Sequence, residues 1–113
     1  MITPRVTEYE VCAIPEDDIN AGAYAIKVAY RGRGRWAVTR MSQCLGADGT
    51  WDYESIPSER TEEWLATHRF DEQTALRLAV EHAPTVVVLG WTVDDVLLKD
   101  VLLKRERRTG GAR

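Results

Sequence analysis

The residues of this 113-residue chain best suited to chemistry lie in a basic run at 29–36, "AYRGRGRW". Guanidinium groups pair with phosphates, and aromatic rings among arginines suit unpaired bases. Together with Arg40 on the strand that follows, the run therefore fits a nucleic-acid site that uses Tyr30, Arg31, Arg33, Arg35 and Trp36. It also fits the tip of a β-hairpin, whose glycines supply the positive φ of a tight turn. Charge at such a tip blocks edge pairing, so both interpretations remain open.

An acidic segment follows at 48–63, with six carboxylates and one arginine. Such a surface repels nucleic acid and attracts a basic protein partner. The plainer interpretation is a solvated strand face followed by the acidic start of a helix. Asp52 and Glu54 alternate along a predicted strand, so we expect both to face outward and contribute to a partner surface. Paired carboxylates also suit acid–base chemistry where a cleft holds them.

The cysteines and histidines do not indicate an enzyme. Cys12 and Cys44 are far apart in the sequence, and His68 and His82 belong to no metal-ligand pattern. The sequence also has no phosphate-binding glycine loop and no G-x-S-x-G. We expect a protein without catalysis, cofactor or metal, in which the cysteines are small buried hydrophobes. The remaining catalytic hypothesis pairs Cys44 with His68 or His82 in a deep pocket.

The last predicted helix is apolar on most of its sides. Leu97, Leu98, Val101 and Leu102 cover a wide arc, and Val96 and Leu103 lie nearly opposite. One packing contact buries a stripe little more than 100° wide. Either the rest of the fold covers both sides, or a second protein does, as a homodimer or another partner. The basic end of this helix would support the nucleic-acid alternative through Lys104, Arg105, Arg107 and Arg108.

Composition indicates one ordinary globular domain. The net charge is −3 and 44% of the residues are apolar, so the whole chain is not a polycation. We predict a single domain at 1–108 and a disordered tail at 109–113. The N-terminus lacks a signal pattern, and the longest apolar run, 86–89, is too short to span a membrane. We therefore expect a cytoplasmic protein.

The local patterns predict strands first and helices later. Alternation predicts strands at 7–14, 23–30 and 35–41, and a hairpin over 42–54 turning at Asp48 and Gly49. The expected helix starts are Ser58, Asp71 and Thr92, with Pro84 ending the second helix and a buried strand at 85–90. The predicted class is α+β: an antiparallel β-meander of about four strands, with two to three helices packed on one face and a C-terminal helix.

Apolar positions on these elements define the expected core. Trp51 and Tyr53 are expected to face it, while Thr50 and Asp52 face outward. The core candidates are Tyr24, Ile26, Val28, Trp36, Val38, Trp51, Trp64, Phe70, Leu76, Leu78 and Val87.

Two stretches carry a resemblance to known proteins. "CLGADGTWDYE" followed by "EEWLATHRFDEQTALRLA" resembles small proteins of unassigned activity from high-GC actinobacteria, their mobile elements and phages. The resemblance covers about residues 20–98 and implies no catalytic residue. The order of sheet and helix is also loosely similar to the DNA-binding modules of phage integrases, whose sheet meets DNA. The acidic positions Asp52 and Glu54 depart from that pattern.

The sequence thus predicts a small non-catalytic binding or regulatory protein, such as a phage or mobile-element accessory protein, that acts through protein–protein contact. The predicted contact residues are Leu97, Leu98, Val101, Leu102, Asp52 and Glu54. The alternative is a nucleic-acid-binding protein that uses the basic hairpin and the basic end of the last helix.

Overall fold

The computed structural model describes the backbone of residues 2–111 and the side chains of residues 2–104. It has the predicted α+β architecture, with a five-stranded antiparallel meander, helices and a C-terminal helix. The strands are β1 (Glu8–Val11), β2 (Ile26–Tyr30), β3 (Trp36–Arg40), β4 (Gln43–Leu45), β5 (Trp51–Tyr53), β6 (Val87–Val88) and β7 (Trp91–Thr92). The helices are α1 (Ala21–Tyr24), α2 (Glu62–His68), α3 (Glu72–His82) and α4 (Val93–Gly111).

The main sheet has the strand order β1-β2-β3-β4-β5. Val28 in β2 stands between Tyr9 and Val38 on the neighbouring strands. Because side chains alternate across a strand, this register places the apolar residues of three strands on one face. Ile26, Val28 and Val38 are fully buried there, together with Leu45. The predicted strands at the centre of the sheet are thus confirmed.

Helix α3 packs on β2 and β3. The side chain of Asp71 accepts a hydrogen bond from the Thr74 backbone N–H at 2.8 Å, which confirms Asp71 as the N-cap. Ala75 and Ala79 are fully buried, and their small side chains let the helix approach the sheet closely. Pro84 lies in a 3₁₀ helix, Ala83–Thr85, directly after α3.

The predicted turn at Asp48 and Gly49 is confirmed. Gly49 has a φ of +86°, which favours glycine. The Asp48 carboxylate accepts hydrogen bonds from the Thr50 backbone N–H at 3.0 Å and from the Thr50 hydroxyl at 2.7 Å. These contacts return the chain from β4 to β5.

Two predicted element starts are wrong. Residues 23 and 24 belong to α1, because the chain leaves the preceding loop through a helical turn before the alternation begins at Ile26. Ser58 is inside a 3₁₀ helix at Pro57–Glu59 and caps nothing. Thr61 caps α2 instead, because its hydroxyl accepts a hydrogen bond from the Trp64 backbone N–H at 3.1 Å.

The buried strand predicted at 85–90 is also wrong. Leu89 and Gly90 both have positive φ, at +50° and +83°. This turn folds β6 back on β7 as a separate two-stranded hairpin, so the segment does not enter the main sheet. Val87 is therefore 51% exposed, and Val86 supplies the core instead.

Tyr53 does not face the core as predicted. It is exposed, although Trp51 on the same strand packs against the core cluster. β5 is the last strand of the sheet, and apolar packing on it ends at Trp51. Leu76 and Leu78 also pack at the margin of the core.

Helix α4 begins as predicted. The Thr92 hydroxyl accepts from the Asp95 backbone N–H at 3.1 Å, and the Asp95 carboxylate accepts from the Thr92 backbone N–H at 2.9 Å. This reciprocal pair is a capping box. The helix reaches Gly111, so the boundary predicted at residue 108 falls within it, and residues 112–113 lie outside the described part. Across the described residues, no helix combines the length and the apolar character needed to cross a membrane.

Candidate interaction surface

Helix α4 buries one side and leaves an apolar second side exposed. Val93 and Val96 are buried, and Leu97 packs against the core cluster. Leu98, Val101 and Leu102 are exposed at 59%, 56% and 48%. At 100° per residue these three side chains share one side of the helix, which we call the α4 face. The predicted arc is thus divided: Leu97 belongs to the core, and the other three do not.

The position of α4 explains this exposure. Its first turns pack against β7 and the 3₁₀ helix Ala83–Thr85. From residue 101 to residue 104 every side chain is exposed. The helix therefore extends beyond the part of the fold that its first turns contact, and its second apolar side has no described element over it.

Another side of α4 faces a loop of the same chain. Leu103 and Lys104 line a shallow hollow of about 300 Å³ with Asp18 and Ile19. Lys99 lies over the ring of Trp91, with its Nζ 5.6 Å from the ring centroid. These contacts lie away from the α4 face.

Charge differs between the two ends of α4. Asp94 and Asp95 occupy its first turn, and Lys104 lies beyond the apolar residues. The basic side chains predicted for nucleic-acid contact at Arg105, Arg107 and Arg108 lie outside the described side chains. The two acidic side chains oppose the partial positive charge at the start of the helix, which stabilises it.

The basic hairpin between β2 and β3 is partly engaged within the protein. Arg31 forms an ion pair with Glu54 at 2.8 Å, and Arg40 donates to the Ala23 carbonyl at 2.9 Å. Arg33 and Arg35 are exposed. Two of the four predicted arginines thus make internal contacts, which leaves Arg33 and Arg35 extended toward solvent.

The aromatic residues of that hairpin pack together. The ring centroids of Tyr30 and Trp36 are 5.2 Å apart. Trp36 is buried, and the Tyr30 hydroxyl accepts from the Gly34 backbone N–H at 3.1 Å. Trp36 is therefore a core residue and presents little surface on which a base could stack.

Glu54 does not face outward as predicted. Its side chain is 12% exposed, and its carboxylate accepts from Arg31 at 2.8 Å and from Arg69 at 2.9 Å. Arg60 lies 3.9 Å away. Burial alone would raise the pKa of Glu54, but the Arg31 hydrogen bond and the charges of these arginines outweigh burial and lower it. We call these four residues the Glu54 cluster.

Asp52 lies beside a buried histidine. The Nε2 atom of His68 is 2.8 Å from Asp52 Oδ2, and its Nδ1 is 2.8 Å from the Trp64 carbonyl. The Trp64 and His68 rings are stacked, with centroids 4.2 Å apart. Trp64, predicted in the core, is half-buried against this histidine because α2 presents both residues on one side, four positions apart.

Cys44 is next to the same cluster and is poorly suited to be a nucleophile. Its Sγ is fully buried, 3.8 Å from the His68 carbonyl and 3.7 Å from Arg69. Burial raises the pKa of the Cys44 thiol, the charge of Glu54 raises it further, and the charges and hydrogen bond of the nearby arginines oppose this only in part. The thiolate is thus disfavoured. Cys44 does lie beside His68, as the catalytic hypothesis requires, but its sulfur faces the backbone carbonyl of His68.

Iodoacetamide is expected to alkylate Cys12 at least about tenfold faster than Cys44 in the native protein, because Cys12 is partly exposed and Cys44 is fully buried. Peptide mass spectrometry at short reaction times gives both rates. In concentrated urea the two rates should become similar. Native Cys44 that reacts as fast as Cys12 would contradict the buried-thiol interpretation and revive Cys44 as a nucleophile.

Sequence reasoning found the α4 face but missed the Glu54 cluster. The α4 face is visible from apolar residues within one helix, whereas the partners of Glu54 come from three separate segments. Comparisons with protein-family models, with curated proteins and with solved structures found no match for this chain.

Proposed function

We propose that this protein works by binding another protein chain through the α4 face, without catalysing a reaction. The observation that supports it most strongly is that Leu98, Val101 and Leu102, three large apolar side chains on one side of α4, are each about half exposed. Single exposed apolar residues are ordinary on a surface. A contiguous group on one helix side is typical of an interaction site.

The energetics of the helix favour a partner. Burying one Leu or Val completely contributes about 1.5–3 kcal/mol. Each of these three side chains is already about half buried, so each offers roughly half of that amount on binding. A short helical segment without tertiary contacts is marginally stable in water. A partner on the α4 face would therefore stabilise α4 as well.

The polar residues predicted for partner contact have internal roles in this proposal. Glu54 is held by arginines, and Asp52 is bonded to His68. Asp52 lies in β5 and Glu54 directly follows it, so both contacts connect this strand to other segments of the chain. They indicate a structural role for the two carboxylates. The partner surface is thereby reduced from the predicted six residues to the α4 face.

Site-specific photo-cross-linking in the native host tests the proposal. A benzophenone side chain at position 102 is expected to trap a polypeptide of discrete mass. The matched control is position 80, where Val80 is an exposed apolar residue on α3. Position 80 should give no discrete product. No cross-link at position 102, or the same products from both positions, would overturn the proposal.

A nucleic-acid function is the alternative, and a separate binding measurement tests it. It would appear as salt-sensitive oligonucleotide binding by the purified protein. Arg33→Ala with Arg35→Ala should then abolish binding, while Leu98→Asp should leave it intact. That result, without a protein cross-link at position 102, would replace protein binding with nucleic-acid binding.

A further inference from the structure

We infer that this protein binds a phosphate group, as the free ion or as a small ester, in a hollow beside Arg40 where β3 ends. This site is separate from the α4 face and goes beyond the proposed function. It is carried by an arginine that is partly buried without a counterion, next to a lysine that lines the same hollow.

Arg40 is the last residue of β3, and the protein satisfies its guanidinium only in part. One terminal nitrogen donates to the Ala23 carbonyl at 2.9 Å. The Nε atom is fully buried and has no hydrogen-bond partner in the described part of the chain. Arg40 also forms no ion pair with any described carboxylate, whereas the buried Arg69 has Glu54 as its counterion at 2.9 Å. Buried charges are normally paired and buried donors normally satisfied, so an anion beside Arg40 would be stabilising.

Arg40 lines a hollow of about 220 Å³, which we call the Arg40 hollow. Lys27 and Thr39 also line it, and they are directly opposite each other on β2 and β3. The other lining residues are small or apolar: Gly22, Ala23, Ala25 and Met41. The hollow therefore presents two cations and one hydroxyl, and its described lining contains no acid. Oxygen atoms of an anion are the acceptors that suit such donors.

Lys27 is available to an anion in the Arg40 hollow. Its Nζ lies 3.8 Å from the Glu8 carboxylate, and both side chains are about half exposed. This separation is longer than a hydrogen bond. Exposed pairs of this kind add little to stability, so Lys27 can turn from Glu8 to a ligand that Arg40 also contacts.

Charge and size favour a phosphate group over other anions. Two cationic side chains match the charge of a phosphate dianion, whereas a carboxylate would neutralise only one of them. The hollow is smaller than the roughly 300–1,000 Å³ of ordinary ligand pockets, which suits a phosphate ion or a small ester. Arg40 also lines a second hollow, of about 190 Å³, but the described lining there adds no further cation.

Titration of the full chain with inorganic phosphate, followed by two-dimensional ¹H–¹⁵N NMR, tests the inference. At about pH 7.5 most of the phosphate is the dianion. Sodium chloride at the same ionic strength is the reference series, because it screens surface charges equally. Backbone amides at residues 22–27 and 39–41 are expected to shift saturably with phosphate and not with chloride.

Charge-removing variants identify the ligands of the anion. Lys27→Gln should raise the phosphate dissociation constant at least about tenfold, because a charge-assisted hydrogen bond is lost. Arg40→Gln should abolish saturable binding, and Lys27→Gln keeps the test decisive if that variant does not fold. Lys99→Gln is the matched control, because it removes the same charge on α4, outside the hollow, and should change the constant by less than about twofold. Leu98→Ala should leave phosphate binding unchanged, which separates this site from the α4 face.

Three results would overturn the inference. The first is a shift that stays linear to the highest phosphate concentration or that chloride reproduces. The second is an equal loss of affinity in Lys27→Gln and Lys99→Gln. The third is a saturable shift centred on Arg33 and Arg35, which would place the anion on the basic hairpin.

Two further ligands define the chemistry of the anion. Glycerol phosphate that binds more tightly than inorganic phosphate would identify a small ester as the ligand, and weaker binding would identify the free ion. Either result supports the Arg40 hollow as a phosphate site. Acetate that competes as well as phosphate would overturn the choice of a phosphate group.

Discussion

Replacing Glu54 with glutamine is expected to lower the free energy of unfolding by about 3–5 kcal/mol. The carboxylate accepts hydrogen bonds from Arg69, whose side chain is 6% exposed, and from Arg31. A neutral amide leaves the Arg69 guanidinium as a buried charge without its counterion. Removing one partner of a buried ion pair costs more free energy than the intact pair contributes, because the remaining charge stays desolvated and unpaired.

The same variant should change the pH dependence of stability. The arginines lower the pKa of Glu54 in the folded protein. Its contribution is therefore fully present above the unfolded-state pKa of about 4.3 and is lost as the pH falls through the lower folded-state value. The unmodified protein should lose stability through this acid range more steeply than Glu54→Gln. Other carboxylates titrate in both proteins, so the difference between the two curves isolates Glu54.

Urea unfolding followed by tryptophan fluorescence measures both effects. The matched control is Glu81→Gln, which breaks an ion pair with Arg77 at the same 2.8 Å distance between more than half-exposed side chains. Exposed pairs at this helical spacing contribute about 0.3–0.5 kcal/mol. Equal losses in the two variants would show that the Glu54 cluster is no more than a surface ion pair.

Leu45→Ala is expected to cost about 2–5 kcal/mol, while Leu98→Ala changes monomer stability by no more than about 0.5 kcal/mol. Leu45 is fully buried in β4, so its truncation leaves a cavity in a close-packed core. Leu98 is 59% exposed on the α4 face, and its truncation leaves none. Denaturation should be measured at a dilution where the monomer dominates.

The same two variants should rank in the opposite order in their effect on binding through the α4 face. Leu98→Ala removes a contact of the α4 face and should weaken cross-linking from position 102. Leu45→Ala should leave that cross-linking intact at temperatures where the variant is folded. If Leu98→Ala destabilises the dilute monomer as much as Leu45→Ala does, then Leu98 belongs to the core and the α4 face is not an interaction surface.

The sequence by itself determined the elements whose causes are local. The turn at Gly49, the cap of α3 at Asp71 and the cap of α4 at Thr92 each depend on contacts within three residues. The alternation at the start of β2 also determined that Ile26 and Val28 are buried and Lys27 is exposed, because period-two burial follows directly from strand geometry. The α+β class follows from the order of these elements along the chain.

Only the tertiary structure decided which polar and apolar residues are covered. The Glu54 side chain is only 12% exposed where three arginines from separate segments converge on it, and no local pattern encodes that convergence. Val87 is exposed because a two-residue turn keeps β6 out of the main sheet. The sequence did not distinguish the two apolar sides of α4. One side is buried because it packs against β7 and the 3₁₀ helix Ala83–Thr85, and the other side has no described element over it. Burial depends on long-range packing, so spacing within one element predicts a face but not what lies against it.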